Sequence, residues 1–312
     1  MKIKFLITGA SGMLGKSLIS QLKKKNYTFL APSSKELNLL NLSSIKKYLN
    51  NKKPNYIIHL AGFVGGIGAN MNDPIKFLHS NMLMGMNLID MAHKMKIKNF
   101  LNIGSSCIYP TKENRSMSES KLLSGDFEKT NEGYALAKLS IIKFCEYVAK
   151  SKGYNYFSLI PCNIYGPNDN FDEKTGHVVS SLIDRIYCAK KNNLKTVEIW
   201  GTGKSKREFI YVDDVSKAIL KFLFNKKIIK KNLYWLNIGM GSDLSIKNLY
   251  LKISKLIGYK GSFVHNLNKP DGTARKLLNI KKAKNFGWTP KVKLIDGLKK
   301  TIDWYIKMEQ FK

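Results

Sequence analysis

Lys4-Phe5-Leu6-Ile7-Thr8-Gly9-Ala10-Ser11-Gly12-Met13-Leu14-Gly15 decides how the rest of the chain is arranged. Lys4–Thr8 has an apolar middle and reads as a buried strand, and a helix is expected over Lys16–Lys25. Glycines at 9, 12 and 15 let the backbone turn tightly and approach a diphosphate, which then rests on the positive end of that helix. A glycine triplet alone says little. Set between a strand and a helix at the head of repeated β-α-β units, it points to a dinucleotide site.

Working outward, Tyr27–Leu30 reads as the second strand and leads into Ala31-Pro32-Ser33-Ser34-Lys35. An NAD site places an acid here for the ribose hydroxyls, and none precedes Glu36. Ser33, Ser34 and Lys35 suit a 2′-phosphate instead, so NADP is expected, with Asn38 and Leu39 along the adenine. Tyr56–Leu60, counted as the fourth strand, runs into the small-residue stretch Ala61-Gly62, against which a cofactor can lie. His59 inside that strand reads as a core histidine, and the Met-rich helix Asn81–Met95 as packing and subunit contact. Strands at Phe100–Ile103 and Tyr156–Pro161 alternate with helices, which predicts a doubly wound parallel sheet of Rossmann type. After Tyr165 the pattern changes, and a smaller α/β unit is expected. The first unit takes residues 1–165 plus about 206–236, the second about 166–205 plus 237–312.

Chemistry concentrates at Gly104-Ser105-Ser106-Cys107-Ile108-Tyr109-Pro110 and at the helix Tyr134–Ala149. Ser105 stands at a strand's carboxyl end, where open α/β sheets bind ligands. Tyr134 and Lys138 are one helical turn apart on one face. A phenol near pKa ~10 is a poor proton donor at neutral pH, and an ammonium one turn away is expected to lower that value. With Ser105 holding a carbonyl oxygen, the three make a carbonyl-reducing site that needs a hydride donor.

Hydrophobic residues make up 44% of the 312 residues, as in soluble globular proteins, and no run approaches a membrane span. No signal-peptide cleavage region follows the first apolar stretch, so a cytoplasmic location is expected. Cys107, Cys145, Cys162 and Cys188 show no C-x-x-C pair and no metal-ligand spacing; no metal is expected. The net charge of +31 invites a nucleic-acid reading. Yet lysines such as Lys23-Lys24-Lys25 and Lys226-Lys227 are spread along the chain, and arginine, which base readers favour, is nearly absent. A solvated lysine surface that attracts a polyanionic substrate is the expectation, with neither nucleic acid nor membrane as partner.

The chain resembles the extended short-chain dehydrogenase/reductase family, within it the branch acting on GDP-linked 4-keto sugars. The likeness spans nearly the whole chain. It is carried by Gly9-Ala10-Ser11-Gly12, Val64-Gly65-Gly66-Ile67, Gly104-Ser105-Ser106-Cys107-Ile108-Tyr109-Pro110, Tyr165-Gly166-Pro167-Asn168-Asp169-Asn170-Phe171, Arg207-Glu208-Phe209 and Lys269-Pro270-Asp271-Gly272-Thr273. It implies epimerisation at C3 and C5 followed by NADPH reduction at C4, for surface polysaccharide precursors, by a homodimer formed through Met82–Met95 and Tyr134–Ala149. Either GDP-4-keto-6-deoxy-mannose or a GDP-4-keto-heptose suits as substrate. By the resemblance Cys107 is the base and His177 the acid, Tyr134 protonates the C4 oxygen, and Ser105 and Lys138 orient and tune it. The cofactor set is Gly9, Ser11, Gly12, Met13, Leu14, Ser33, Ser34, Lys35, Asn38, Leu39, Ala61, Gly62, Lys138, Pro161, Asn163, Ile164 and His177. Ser106, Asn163 and Arg207 are expected on the substrate. Arg185, Trp200 and Lys276 are further candidates, with core packing the alternative for Trp200 and surface charge for the two cations. A reductase with a separate epimerase, a 4-epimerase or dehydratase, and an NADP-sensing binding protein are the rival readings.

Overall fold

The computed structural model describes residues 3–111, 116–172, 175–225, 231–269 and 271–311; Lys226, Lys227 and Pro270, named above, lie outside them. Strands β1 (Lys4–Thr8), β2 (Thr28–Leu30), β3 (Tyr56–His59), β4 (Asn99–Ile103) and β5 (Asn155–Pro161) come in turn. After the short strands β6 (Asn163–Tyr165), β7 (Thr196–Trp200), β8 (Lys206–Arg207) and β9 (Phe209–Tyr211), β10 (Trp235–Ile238) returns to the same sheet. The order is β10-β5-β4-β3-β1-β2, parallel at every pairing. Phe5, Leu6 and Ile7, like Ile57 and Ile58, have no exposed surface, because helices cover both faces of a parallel sheet. Tyr56–His59 is the third strand, not the fourth: between Leu30 and Tyr56 the chain folds as the helix Leu42–Lys52.

Helices α1 (Met13–Lys24) and α7 (Val212–Leu223) pack together on one face, with Ser17 Oγ donating to Asp213 Oδ1 at 2.7 Å. On the other face α2 (Leu42–Lys52), the short α3 (Ile67–Asn72), α4 (Pro74–Lys94) and α5 (Glu132–Lys152) follow one another. Helix α1 begins three residues before the expected Lys16, so Met13 and Leu14 form its first turn. Helix α4 begins at Pro74, not Asn81. Asp73 caps it by accepting from Lys76 N at 3.0 Å, and proline suits the first helical position. Gly85 lets α4 approach α5, since a Cβ there would lie 2.4 Å from Ile141 Cδ1.

The second layer packs Val179, Ile183, Ile199, Leu249, Ile253 and Leu298 around the β6–β9 pair and the pair of β7 with β12 (Ser262–Asn266). It draws on α6 (Val178–Lys191) and the helices Ile246–Ile257 and Leu294–Glu309. Beside it, β11 (Leu244–Ser245), β8 and β13 (Arg275–Lys276) form a small sheet. The expected division at 236/237 falls inside β10, and Leu278, Ile280, Ala283 and Trp288 pack with the core of the main sheet. Their apolar side chains find the sheet's face better covered than solvent would leave it.

Candidate active site

The chain leaves β1 and returns to the other side of it as β3, so a topological switch point opens between their carboxyl ends. Gly9 turns there at φ +70°, and a Cβ on it would stand 2.6 Å from Ala61 N. Gly15, in the first turn of α1, lies as close: its Cβ would meet Gly9 O at 2.4 Å. Gly12 caps α1 in extended conformation without a side-chain bond, leaving the first-turn amides of Met13 and Leu14 unpaired by the helix. Ser11 and Gly12 are exposed. This is a cradle of backbone donors open to an anion.

Ser33, Ser34 and Lys35 are exposed at the end of β2. Ser33 was expected to hold a 2′-phosphate, but its N–H and hydroxyl both donate to Glu36 Oε2, at 2.8 and 2.9 Å. The backbone bond from Ser33, then its hydroxyl, holds Glu36 below the usual carboxylate range. The Leu39 side chain is buried in the core. Asn38 Oδ1 accepts from Leu40 N at 3.0 Å. His59 is a core histidine as expected: Thr8 Oγ1 lies 2.8 Å from its Nδ1, and burial, with the Lys138 charge, pushes it down to about 3.

Beyond Ala61, the Gly62-Phe63 turn is clamped by Asn81 of α4, which sequence reading left as packing. Asn81 Oδ1 accepts from Phe63 N at 2.8 Å, and its Nδ2 donates to Phe63 O at 3.0 Å. A Cβ on Gly62 would meet Asn81 Oδ1 at 3.2 Å and Lys138 Nζ at 3.5 Å, which places that turn directly over the Tyr134 helix.

Ser105 follows β4 by two residues and caps the turn Ser106–Ile108, its Oγ accepting from Cys107 N at 3.4 Å. Tyr134 and Lys138 stand on the first turns of α5, with Lys138 Nζ 5.7 Å from the Tyr134 ring centre and donating to Ile103 O at 3.1 Å. The expected acidification of the phenol does not occur: burial, reinforced by the nearby Cys107, pushes Tyr134 well above its ordinary value. Burial also depresses Lys138 to about 8, a loss that Cys107 partly offsets. In low dielectric the cost of charge exceeds what the neighbour returns. Cys107 is raised by burial too, against the Ser105 hydroxyl and the charges of Lys276 and Lys138. Ser106 is buried beside it.

A buried network supports this turn. Tyr109 OH donates to Asn237 Oδ1 at 2.6 Å, and Asn237 N donates to Glu119 Oε1 at 3.1 Å. Asn237 Nδ2 donates to Met117 O at 2.9 Å.

His177 caps α6, its Nδ1 3.2 Å from Asp169 Oδ1. Burial opposes the imidazolium, but the Asp169 hydrogen bond and charge outweigh it and raise the ring above its ordinary value. The residues before it lie on the turn after β3, with Gly66 N donating to Thr175 O at 3.3 Å. Phe77 touches the same turn and lies 6.2 Å, edge to ring, from Tyr134. Lys16 of α1 reaches Asn168 Oδ1 at 3.0 Å, so the loop before α6 also meets the glycine cradle.

Pro161 ends β5, and Asn163 and Ile164 form β6 beside β9. Asn163 Nδ2 donates to Glu208 O at 2.8 Å. Arg207 and Lys276 are register partners on β8 and β13, two cations side by side. Arg207 Nη1 donates to Thr273 O at 2.5 Å, and Thr273 Oγ1 donates to Glu128, whose charge acts on both cations. Lys276 couples to Cys107, so the cation pair adjoins the Ser105–Cys107 turn. Arg185 and Trp200 form a separate group: Arg185 Nη1 donates to Glu198 O at 3.2 Å, and Trp200 lies between Arg185, at 5.6 Å, and Lys269, at 5.3 Å. Arg185 Nη1 also lies 3.3 Å from Tyr250 OH, on the second layer.

Sequence reading assigned nothing to Asn81, Glu128 or Asp169. Asn81 signals itself only as a buried amide on an apolar helix face.

The family described as "NAD dependent epimerase/dehydratase family" matches residues 5–239. GDP-L-colitose synthase of Yersinia pseudotuberculosis is 44% identical over 97% of this chain and 98% of its own length. GDP-L-fucose synthase of Azorhizobium caulinodans is 39% identical over 97% and 96%. The NADP-bound structure of MlghC, the GDP-mannoheptose C4 reductase of Campylobacter jejuni, superposes with a TM-score of 0.88 at 29% identity, covering 98% of each chain. With a six-stranded parallel sheet, a glycine cradle at its switch point and a match across more than two thirds of its length, the chain belongs to the NAD dependent epimerase/dehydratase family.

Proposed function

We propose that this protein is an NADPH-dependent enzyme that reduces the C4 ketone of a GDP-linked 4-keto sugar after inverting C3 and C5. The observation that carries the reading is the joining of Ser105, Tyr134 and Lys138 at the carboxyl edge of the sheet, under the glycine cradle and next to a cation pair. The cradle fits a dinucleotide: Gly9 and Gly15 leave no room for side chains, and the first-turn amides of α1 are free for a diphosphate. NADP in the superposed C4 reductase supports the choice of cofactor, and Ser34 and Lys35, exposed after β2, would receive its 2′-phosphate.

Bound NADPH supplies a hydride to C4. Ser105 holds the C4 oxygen, and Tyr134 gives it a proton, so the ketone leaves as an alcohol. Because burial keeps the phenol protonated, it is ready as an acid, the form that reduction requires. The buried Lys138 ammonium favours the phenolate left behind. The ketone also acidifies the C–H bonds at C3 and C5. Cys107 takes a proton from one face, and His177 returns one from the other. Lys138, Lys276 and the Ser105 hydroxyl oppose burial on Cys107, the direction a thiolate base needs. Arg207 and Lys276 take the diphosphate, and the unit around α6 takes the rest of the sugar nucleotide.

The products suit surface polysaccharide assembly in the cytoplasm, and among the described residues no helix is long and apolar enough to cross a membrane. Helices α4 and α5 would pair two copies, with Leu136 and Tyr147 exposed on α5. A second reading, reduction alone with a separate epimerase, is favoured by the raised Cys107 thiol and by the name of the superposed C4 reductase.

The test is to supply GDP-4-keto-6-deoxy-mannose and its heptose counterpart with NADPH in deuterated water. Loss of NADPH absorbance reports reduction, and deuterium at C3 or C5 reports inversion. Reduction without deuterium leaves the second reading; no NADPH loss with either sugar refutes both.

A further inference from the structure

Asp169 makes two bonds through one oxygen: Oδ1 faces His177 Nδ1 at 3.2 Å and accepts from Asn170 N at 2.9 Å. Its side chain is 5% exposed, against 41% for the imidazole, and its Oδ2 is buried without a hydrogen-bond partner among the described residues. A buried carboxylate with one oxygen unsatisfied is costly. If the turn needed only the two bonds, asparagine would make them through its carbonyl oxygen at lower cost. What asparagine lacks is the negative charge.

We propose that Asp169 is a positioning residue for His177, fixing the ring through Nδ1 and holding it protonated so that Nε2 carries the proton delivered to carbon. The inference rests on the role given to His177 above. In that step the Nε2–H bond breaks and a C–H bond forms on the enolate. The ring is left neutral with its Nδ1–H on Asp169, and solvent restores the Nε2 proton. Among the described residues, Asp169 is the charge that acts on the ring. Of the other charged groups at this turn, Lys16 directs its ammonium to Asn168 at 3.0 Å, and Asp172 accepts from Thr175 N at 2.8 Å. The sign follows. The acid works while protonated, so delivery fails as pH rises through the ring's pKa, and removing the Asp169 charge moves that failure to lower pH.

Wild type, Asp169→Asn, Asp169→Glu and His177→Gln are compared by NMR titration of 13C-labelled histidines, with NADPH fluorescence confirming a folded cofactor site. Deuterium wash-in at C3 and C5 is followed against pH. His177 is expected to titrate above about 6.5 in wild type, to fall to or below that value in Asp169→Asn, and to recover in Asp169→Glu. Wash-in at pH ~8 should drop about tenfold or more in Asp169→Asn, with its alkaline limb moved down. An unmoved His177 titration in Asp169→Asn overturns the proposal, as does a titration in Asp169→Glu no higher than the free imidazole. Full wash-in in His177→Gln instead removes the ring from the reaction, and with it the reading on which Asp169 depends.

Discussion

Raising the pH should switch off reduction through Lys138 rather than through Tyr134. The Lys138 side chain is nearly inaccessible, and burial brings its ammonium from 10.5 down to about 8. That difference of 2.5 corresponds to about 3 kcal/mol against the charge in this site. About nine-tenths of the enzyme then carries the ammonium at pH 7, about one-tenth at pH 9 and about one-hundredth at pH 10. If the ammonium supports the phenolate, kcat/KM falls about tenfold per pH unit above 8. Two neighbours do not break the profile in that range: Tyr134 is pushed well above its ordinary value, and His59, at about 3, is neutral throughout. The assay follows NADPH loss from pH 6 to 10, using a 4-keto sugar already inverted at C3 and C5 so that Cys107 and His177 are not engaged. Lys138→Arg keeps its charge at every pH used. Its plateau should be lower, since a guanidinium does not reproduce the 3.1 Å contact of Nζ with Ile103 O, and its alkaline limb should vanish. A wild-type profile flat to pH 10, or a limb still near 8 in Lys138→Arg, refutes the reasoning.

Tyr109→Phe leaves the buried Asn237 Oδ1 without its donor and should cost about 1–3 kcal/mol, lowering Tm by about 2–5 °C in a thermal melt. An unchanged melt would mean that water replaces the phenol. Gly15→Ala sets a methyl 2.4 Å from Gly9 O, where backbone must move, so the NADPH Kd measured by fluorescence should rise about tenfold or more, about 1.4 kcal/mol. Equal affinity would show that the cradle tolerates a side chain. Glu36→Gln removes the carboxylate that engages Ser33 and should raise the preference for NADPH over NADH about threefold or more in paired KM measurements. A fixed ratio would place the 2′-phosphate away from this turn.

The sheet was legible because its information is local. Phe5-Leu6-Ile7 and Phe100-Leu101 are unbroken apolar runs, and Gly9 and Gly15 stand where only bare backbone fits. Ser105, Tyr134 and Lys138 were legible for the same reason: a strand end and one helical turn set their relations. The titration of Tyr134 was not, because it depends on how completely distant segments cover the ring, and spacing carries no measure of burial. Asn81 and Glu128 were missed because their partners, Phe63 and Thr273, come from other parts of the chain. The engagement of Ser33 with Glu36 was hidden for the opposite reason. A residue three places along bends back to it, a turn that the bare pattern of hydroxyls and lysine does not announce. Arg185 and Trp200 pair with each other on the second layer, where an isolated cation or ring in the sequence gives no hint of neighbours.

The bond between Tyr109 and Asn237 spans 128 residues and also sets an order of assembly during synthesis. At about 5–20 residues per second, the loop bearing Cys107 waits on the order of ten seconds after leaving the ribosome before its anchor emerges. Until then Tyr109, a side chain destined for the interior, has no amide to receive its proton, and the turn bearing Ser105 and Cys107 lacks this tie, although Ile103 O is already there for Lys138. A nascent chain halted before Asn237 would therefore hold the glycine cradle with that turn still unanchored, so cofactor capture can precede completion of the site within one molecule's own birth.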